Sequence, residues 1–167
     1  AIMDWDTHRY LEAFFAVPML GSTLHTVNIR LSPSQIAYTI DHAEDDVILF
    51  HADFIPLLEE VMLEVKRDAR LIVMRDSADI ELPQTTLKIE AIFDELFINT
   101  DQYFSFPDFD ENTRATTFYT TGTTGNPKAV AYSHRQLVLH TMGILATFGP
   151  MSANNRFHNR DVYMPIT

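Results

Sequence analysis

Two runs of four consecutive apolar residues, Val47-Ile48-Leu49-Phe50 and Leu71-Ile72-Val73-Met74, constrain this chain more than any other feature. A run that short and apolar at every position suits a strand covered on both faces; a strand with one wet face alternates instead. Helical patterns surround the runs. Leu11, Phe14, Phe15, Val17 and Met19 lie behind Thr7, a suitable N-cap, and Pro18 and Gly21 punctuate the end of that segment. Residues 23–28 read as a strand. Ser32-Pro33-Ser34-Gln35 is a helix start, with Ser as cap, Pro at the first helical position and Gln three residues after the cap, and the helix is expected to run to about Ala43. Asp53 is placed to cap a helix carrying Phe54, Leu57, Leu58, Val61, Met62 and Val65. The βαβαβ order over residues 1–75 predicts an α/β fold, a mostly parallel sheet with flanking crossover helices.

The rhythm changes after Arg75. Residues 76–114 read as a loop, one helix over Ile89, Ile92, Phe93, Leu96 and Phe97, and an irregular connection with Tyr103, Phe104, Phe106 and Phe109 and the acids Asp108, Asp110 and Glu111. Residues 115–167 begin with a β-prone stretch, Ala115-Thr116-Thr117-Phe118-Tyr119. A polar loop follows, then a strand at Ala129-Val130-Ala131-Tyr132. Ser133, with Gln136 three residues on, caps a helix that Gly149-Pro150 ends, and Val162-Tyr163-Met164-Pro165 reads as a last strand.

Charge removes several function classes. Against 12 Lys+Arg stand 23 Asp+Glu, a net charge of −11, which repels the phosphates of nucleic acid and of anionic membranes. No Cys is present, so disulfides, thiolate metal sites and cysteine nucleophiles drop out, and a reducing cytoplasm is the easier setting. No window of 18 apolar residues offers a membrane span. The chain begins without Met and ends on an apolar stretch, the pattern expected of an internal piece of a longer protein.

Chemistry concentrates in Tyr119-Thr120-Thr121-Gly122-Thr123-Thr124-Gly125-Asn126-Pro127-Lys128. Two of the five Gly fall here, among four Thr hydroxyls and beside one Lys. Glycines let successive N–H groups turn into one concavity, hydroxyls add uncharged donors, and Lys128 adds a cation. These are the parts of a phosphate cradle entered from a strand; a plain hairpin connection uses the same parts. The loop is not a Walker A motif, because Pro127 precedes Lys128 and Ala129 follows it.

Residues 119–130 resemble the phosphate-binding signature of the adenylate-forming superfamily: acyl-CoA synthetases, luciferase-like enzymes and peptide-synthetase adenylation domains. The family pattern is an aromatic, then Thr-Ser-Gly-Thr-Thr-Gly-x-Pro-Lys-Gly-Val. Here Thr121 stands for the usual Ser and keeps the hydroxyl, and Ala129 stands for the usual Gly. Tyr132-Ser133-His134-Arg135, Asp110-Glu111-Asn112-Thr113, Leu24-His25-Thr26-Val27-Asn28 and Arg30-Leu31-Ser32-Pro33 resemble the medium- and long-chain fatty-acyl-CoA ligase branch. The resemblance implies part of the large N-terminal, AMP-binding domain. It implies ATP, Mg²⁺ and CoA as cofactors, a fatty acid as the other substrate, and pairing of domains into a homo-oligomer. It assigns Thr120, Thr121, Gly122, Thr123, Thr124, Gly125 and Lys128 to the triphosphate tail and places Thr120 near the metal. The catalytic Lys of the mobile lid, the acidic metal partner, and the adenine and acyl pockets are expected outside these residues, so the chain alone is expected to be inactive.

The remaining residues invite plainer readings. His134 and His140 are six apart and do not form a metal pair on one helical face. Arg135 suits a surface salt bridge; His25 and His42 suit structural roles. Seven acids between Asp41 and Glu60, without one Lys or Arg, read as a solvated face. Trp5 suits the core or a domain contact, and the aromatics of residues 103–109 suit an apolar neighbour or an acyl tunnel. Three rival functions stay open: a non-catalytic module that associates through apolar surface, an aryl-CoA or peptide-synthetase type of adenylating enzyme, and an unrelated nucleotide-binding domain.

Overall fold

The computed structural model describes residues 1–98, 100, 103–120, 125–151 and 160–161. Among them the chain runs β1 (Ile2–Met3), α1 (His8–Met19), β2 (Leu24–Thr26), α2 (Pro33–Ala43), β3 (Val47–His51), α3 (Ile55–Met62), β4 (Arg70–Met74), β5 (Ile89–Ile92), β6 (Arg114–Thr120), β7 (Lys128–Ser133) and α4 (His134–Phe148). The strands form one sheet in the order β5-β4-β3-β1-β2-β6-β7. Every neighbouring pair is parallel except β6 with β7. The α/β, mostly parallel reading is therefore correct, with one antiparallel hairpin at the edge.

The two apolar runs behave as a sheet covered on both faces requires. In β3, Ile48 and Phe50 point into a core shared with α2 and α3, while Leu49 packs with Tyr10, Ala13 and Val17 of α1 on the other face. The helix starts follow local chemistry. Thr7 accepts from the backbone N–H of Tyr10, and Ser32–Gln35 and Ser133–Gln136 each close a reciprocal capping box. Pro18 lies in the last turn of α1, one residue before it ends.

Four expectations are corrected. Ile2–Met3 forms the central strand β1, inserted between β2 and β3, although two residues leave no periodic signal. The helix expected over residues 89–97 is instead β5 followed by a 3₁₀ turn (Phe93–Phe97). Pairing with β4 satisfies backbone groups at that sheet edge, and this outweighs a spacing that also suits a helix. Asp53 does not cap α3. It sits inside a 3₁₀ turn (Ala52–Phe54), and its N–H donates to Nδ1 of His51. The acids of residues 41–60 are not simply a solvated face, since Asp45 is buried, Asp41 accepts from the backbone of Lys66 and Arg67, and Glu59 accepts from Thr85 and Thr86. The strand expected at residues 162–165 lies outside the described residues. Trp5 is half exposed; its ring packs at a tilt on that of Phe54, with centroids 4.8 Å apart, and its indole N–H donates to Asp53 at 2.9 Å.

Both helices at the periphery leave apolar side chains in solvent: Leu11, Phe14 and Phe15 on α1, and Val138, Met142 and Leu145 on α4. Among the described residues no helix is long and apolar enough to cross a membrane.

Candidate functional site

The Thr/Gly loop is the turn of the β6–β7 hairpin. Thr120, the last residue of β6, pairs with Lys128, the first of β7, so the two ends of the connection meet across one ladder position. The Thr120 hydroxyl donates to the Lys128 carbonyl at 3.5 Å. Because β6 lies parallel to β2, it ends on the same sheet edge as the other parallel strands. Ligands of open α/β sheets bind at that carboxyl edge.

Three of the seven candidate phosphate ligands lie among the described residues. Thr120 and Lys128 are exposed, and Lys128 has no ion pair among the described residues. Gly125 has φ +96°, a left-handed conformation that favours glycine, and a Cβ built there meets nothing within 4 Å. Pro127, two residues on, is buried. Thr121, Gly122, Thr123 and Thr124 lie outside the described residues.

The root of the loop is held from beneath. The Thr116 hydroxyl donates to the Leu24 carbonyl at 3.0 Å, and Thr23 donates to the Arg114 carbonyl at 3.3 Å, tying β6 to β2. Tyr119, the residue before Thr120, is buried between two histidines. Its hydroxyl lies 2.8 Å from Nδ1 of His42, the penultimate residue of α2, and its ring lies 5.0 Å from that of His25. His25 is in turn fixed by Asp45, with Nδ1 to Oδ2 at 2.6 Å; among the described residues its Nε2 has no partner. Burial, then the negative charge of Asp45, pushes the Tyr119 phenol up to about 12. The phenol therefore keeps its proton at neutral pH.

The exit is tied as firmly. Arg135 meets Glu111 at 2.6 Å, the surface salt bridge expected of it, and its N–H donates to the Glu111 carbonyl at 2.8 Å. The His134 N–H donates to the Thr113 carbonyl at 3.1 Å, and its ring packs 4.7 Å from Phe109. Asp110 accepts from the backbone and side chain of Asn112, which holds its carboxyl below the usual range.

Metal chemistry finds little here. Among the described residues no group of three or more His, Asp or Glu surrounds a common point. Thr120 offers one hydroxyl, enough to add to a metal's shell and not enough to hold the ion.

His25, His42 and Asp45 are the residues whose relation to the loop the sequence concealed. Their partners lie 20 and 77 residues away, and no spacing rule joins them.

Known proteins supply the context. The AMP-binding enzyme family matches residues 1–167. The chain is 40% identical to the 3-methylmercaptopropionyl-CoA ligase of Ruegeria pomeroyi, over 99% of this chain and 30% of that protein. It is 36% identical to the medium-chain-fatty-acid–CoA ligase of Ectopseudomonas oleovorans, over 99% of this chain and 29% of that one. It is 39% identical to the long-chain-fatty-acid–CoA ligase of Thermus thermophilus, over 99% of this chain and 28% of that one. The chain thus spans under a third of the length of these relatives. Among solved structures, an anthranilate CoA ligase in complex with anthranoyl-AMP shares the fold with a TM-score of 0.73 at 20% identity, over 85% of this chain and 26% of that one. Sequence match and fold agree, and the chain belongs to the AMP-binding, adenylate-forming enzyme family.

Proposed function

We propose that this chain supplies the nucleotide-phosphate loop of an AMP-forming acid–CoA ligase acting on a fatty acid in the cytoplasm. The observation that carries the reading is the pairing of Thr120 with Lys128 at the mouth of the hairpin, on the carboxyl edge of the sheet. A hydroxyl and an ammonium flank a Thr/Gly connection there, and neither is engaged by an acidic side chain among the described residues.

In the proposed reaction a carboxylate oxygen attacks the α-phosphorus of ATP and pyrophosphate leaves, giving an acyl-adenylate. The thiol of CoA then attacks the acyl carbon and AMP leaves, giving a thioester. Charge on the phosphate oxygens dominates the first barrier, so positioned donors are the expected source of rate. Lys128 and the N–H and hydroxyl groups of Thr120, Thr121, Gly122, Thr123, Thr124 and Gly125 bind and orient the triphosphate tail. Magnesium bound to ATP neutralises phosphate charge, with Thr120 as this chain's candidate contact. The chain by itself is inactive, because these residues hold the nucleotide and none of them supplies the acyl site or the lid lysine.

The test is pyrophosphate release from ATP with octanoate and with palmitate. Within the full-length ligase, Lys128→Ala raises the KM for ATP about tenfold or more, as expected for a lost charge-assisted hydrogen bond of about 1.5–3 kcal/mol. An unchanged KM refutes the loop assignment, and appreciable turnover by the 167-residue chain refutes its inactivity.

A second reading rests on the exposed apolar faces of α1 and α4. They support self-association of the isolated chain through apolar surface. Light scattering that rises with concentration favours it; a monomer at high concentration sinks it.

A further inference from the structure

We infer that Tyr119, gripped between His42 and His25, is a positioning residue that sets the angle at which the phosphate loop leaves β6. The inference rests on the reading of that loop as the ATP-phosphate site. Tyr119 immediately precedes Thr120, so any rotation of its backbone redirects the first ligand of the loop. Two elements converge on its side chain, and a third holds one of them in place. α2 contributes His42 to the hydroxyl at 2.8 Å. The His42 ring meets the Tyr119 ring edge-on at 5.7 Å. β2 contributes the His25 ring at 5.0 Å, and Asp45, in the turn between α2 and β3, locks that ring at 2.6 Å. Tyr119, His25 and Asp45 are each more than nine-tenths buried, so the grip is preorganised rather than a surface encounter. His42 is exposed, so its hydrogen bond competes with water and carries the smaller share.

The grip predicts an effect on nucleotide binding that loss of stability alone does not produce. In the full-length ligase, Tyr119→Ala removes the ring and raises the KM for ATP about tenfold, leaving the KM for the fatty acid within twofold. His42→Ala raises the ATP KM two- to fivefold. His42→Asn, which places an amide where Nδ1 stood, restores it to within twofold. Tyr119→Phe combined with His42→Ala is no worse than His42→Ala alone, because the hydroxyl bond is already lost there. Trypsin supplies a second readout without nucleotide: the Tyr119→Ala protein is cut after Lys128 at least threefold faster than the parent.

An ATP KM within twofold in both Tyr119→Ala and His42→Ala, while Lys128→Ala raises it, overturns the positioning role. If Lys128→Ala also leaves the ATP KM unchanged, the phosphate assignment itself has failed. The cleavage rate after Lys128 then decides the grip alone, and an unchanged rate overturns it.

Discussion

Gly125→Ala separates backbone strain from steric fit at the loop. The glycine has φ +96°, and an added Cβ meets nothing within 4 Å. The methyl group therefore has room, and the whole cost is conformational. Holding an L-residue in left-handed backbone costs about 1–2 kcal/mol. At a hairpin turn the chain escapes that cost by rotating to negative φ, and on the proposed phosphate assignment this redirects the loop's return limb relative to the nucleotide. Folding stability then changes by less than about 1 kcal/mol, because the relaxed turn stores little strain. If the proposed assignment holds, ATP must restore the original shape on binding, so its KM is expected to rise by about 5- to 30-fold, the same 1–2 kcal/mol at about 1.4 kcal/mol per factor of ten.

Gly149→Ala is the matched control. Gly149 lies at the end of α4 with φ −63°, and a Cβ there stands 2.6 Å from the Leu145 carbonyl oxygen. That contact forces a shift of backbone, so Gly149→Ala lowers the melting temperature and leaves the ATP KM alone. Melting curves and pyrophosphate-release kinetics on the two variants in the full-length ligase check both limbs. A Gly125→Ala protein with parental ATP KM refutes the claim that the left-handed turn shapes the phosphate site. A Gly125→Ala protein that melts as low as Gly149→Ala refutes the claim that the turn relaxes.

Two further outcomes follow from the buried groups. The Tyr119 phenol is raised to about 12 from an ordinary value of 10, so above pH 10 the unfolded chain releases this proton first and stability falls as pH rises towards 12. Burial also raises Tyr10. Tyr119→Phe therefore flattens, without abolishing, the loss of urea midpoint between pH 9 and pH 11, and an unaltered slope speaks against a buried phenol. Asp45→Ala leaves His25 without a ring hydrogen-bond partner among the described residues. It costs about 3 kcal/mol in urea unfolding, whereas Asp45→Asn, which can still accept from Nδ1, costs less; equal losses in the two variants argue against the bond.

What could be read along the chain was whatever depends on near neighbours. Thr7, Ser32 and Ser133 cap their helices through partners three residues away, so the residue types alone declare the starts. The runs at residues 47–50 and 71–74 became sheet covered on both faces, because continuous apolarity has few other outlets in a chain of this size. The loop's hydroxyls, glycines and Lys128 are contiguous, so its composition can be read directly, and Arg135 was legible as a surface ion pair.

Tertiary structure decided whatever depends on distant partners. Ile2–Met3 is too short to announce itself, and it is a strand only because β2 and β3 close on it from either side. Residues 89–92 carry a spacing that suits a helix, and the open edge of β4 drew them into the sheet, where their backbone groups find partners. Asp45 looked like one acid among seven until folding set it against His25. The sequence by itself determined three of the helix caps, the buried strands at residues 47–50 and 71–74, and the make-up of the loop. Only the folded chain could bring His42 and Tyr119 together across 77 residues, because closing so long a loop depends on everything packed between.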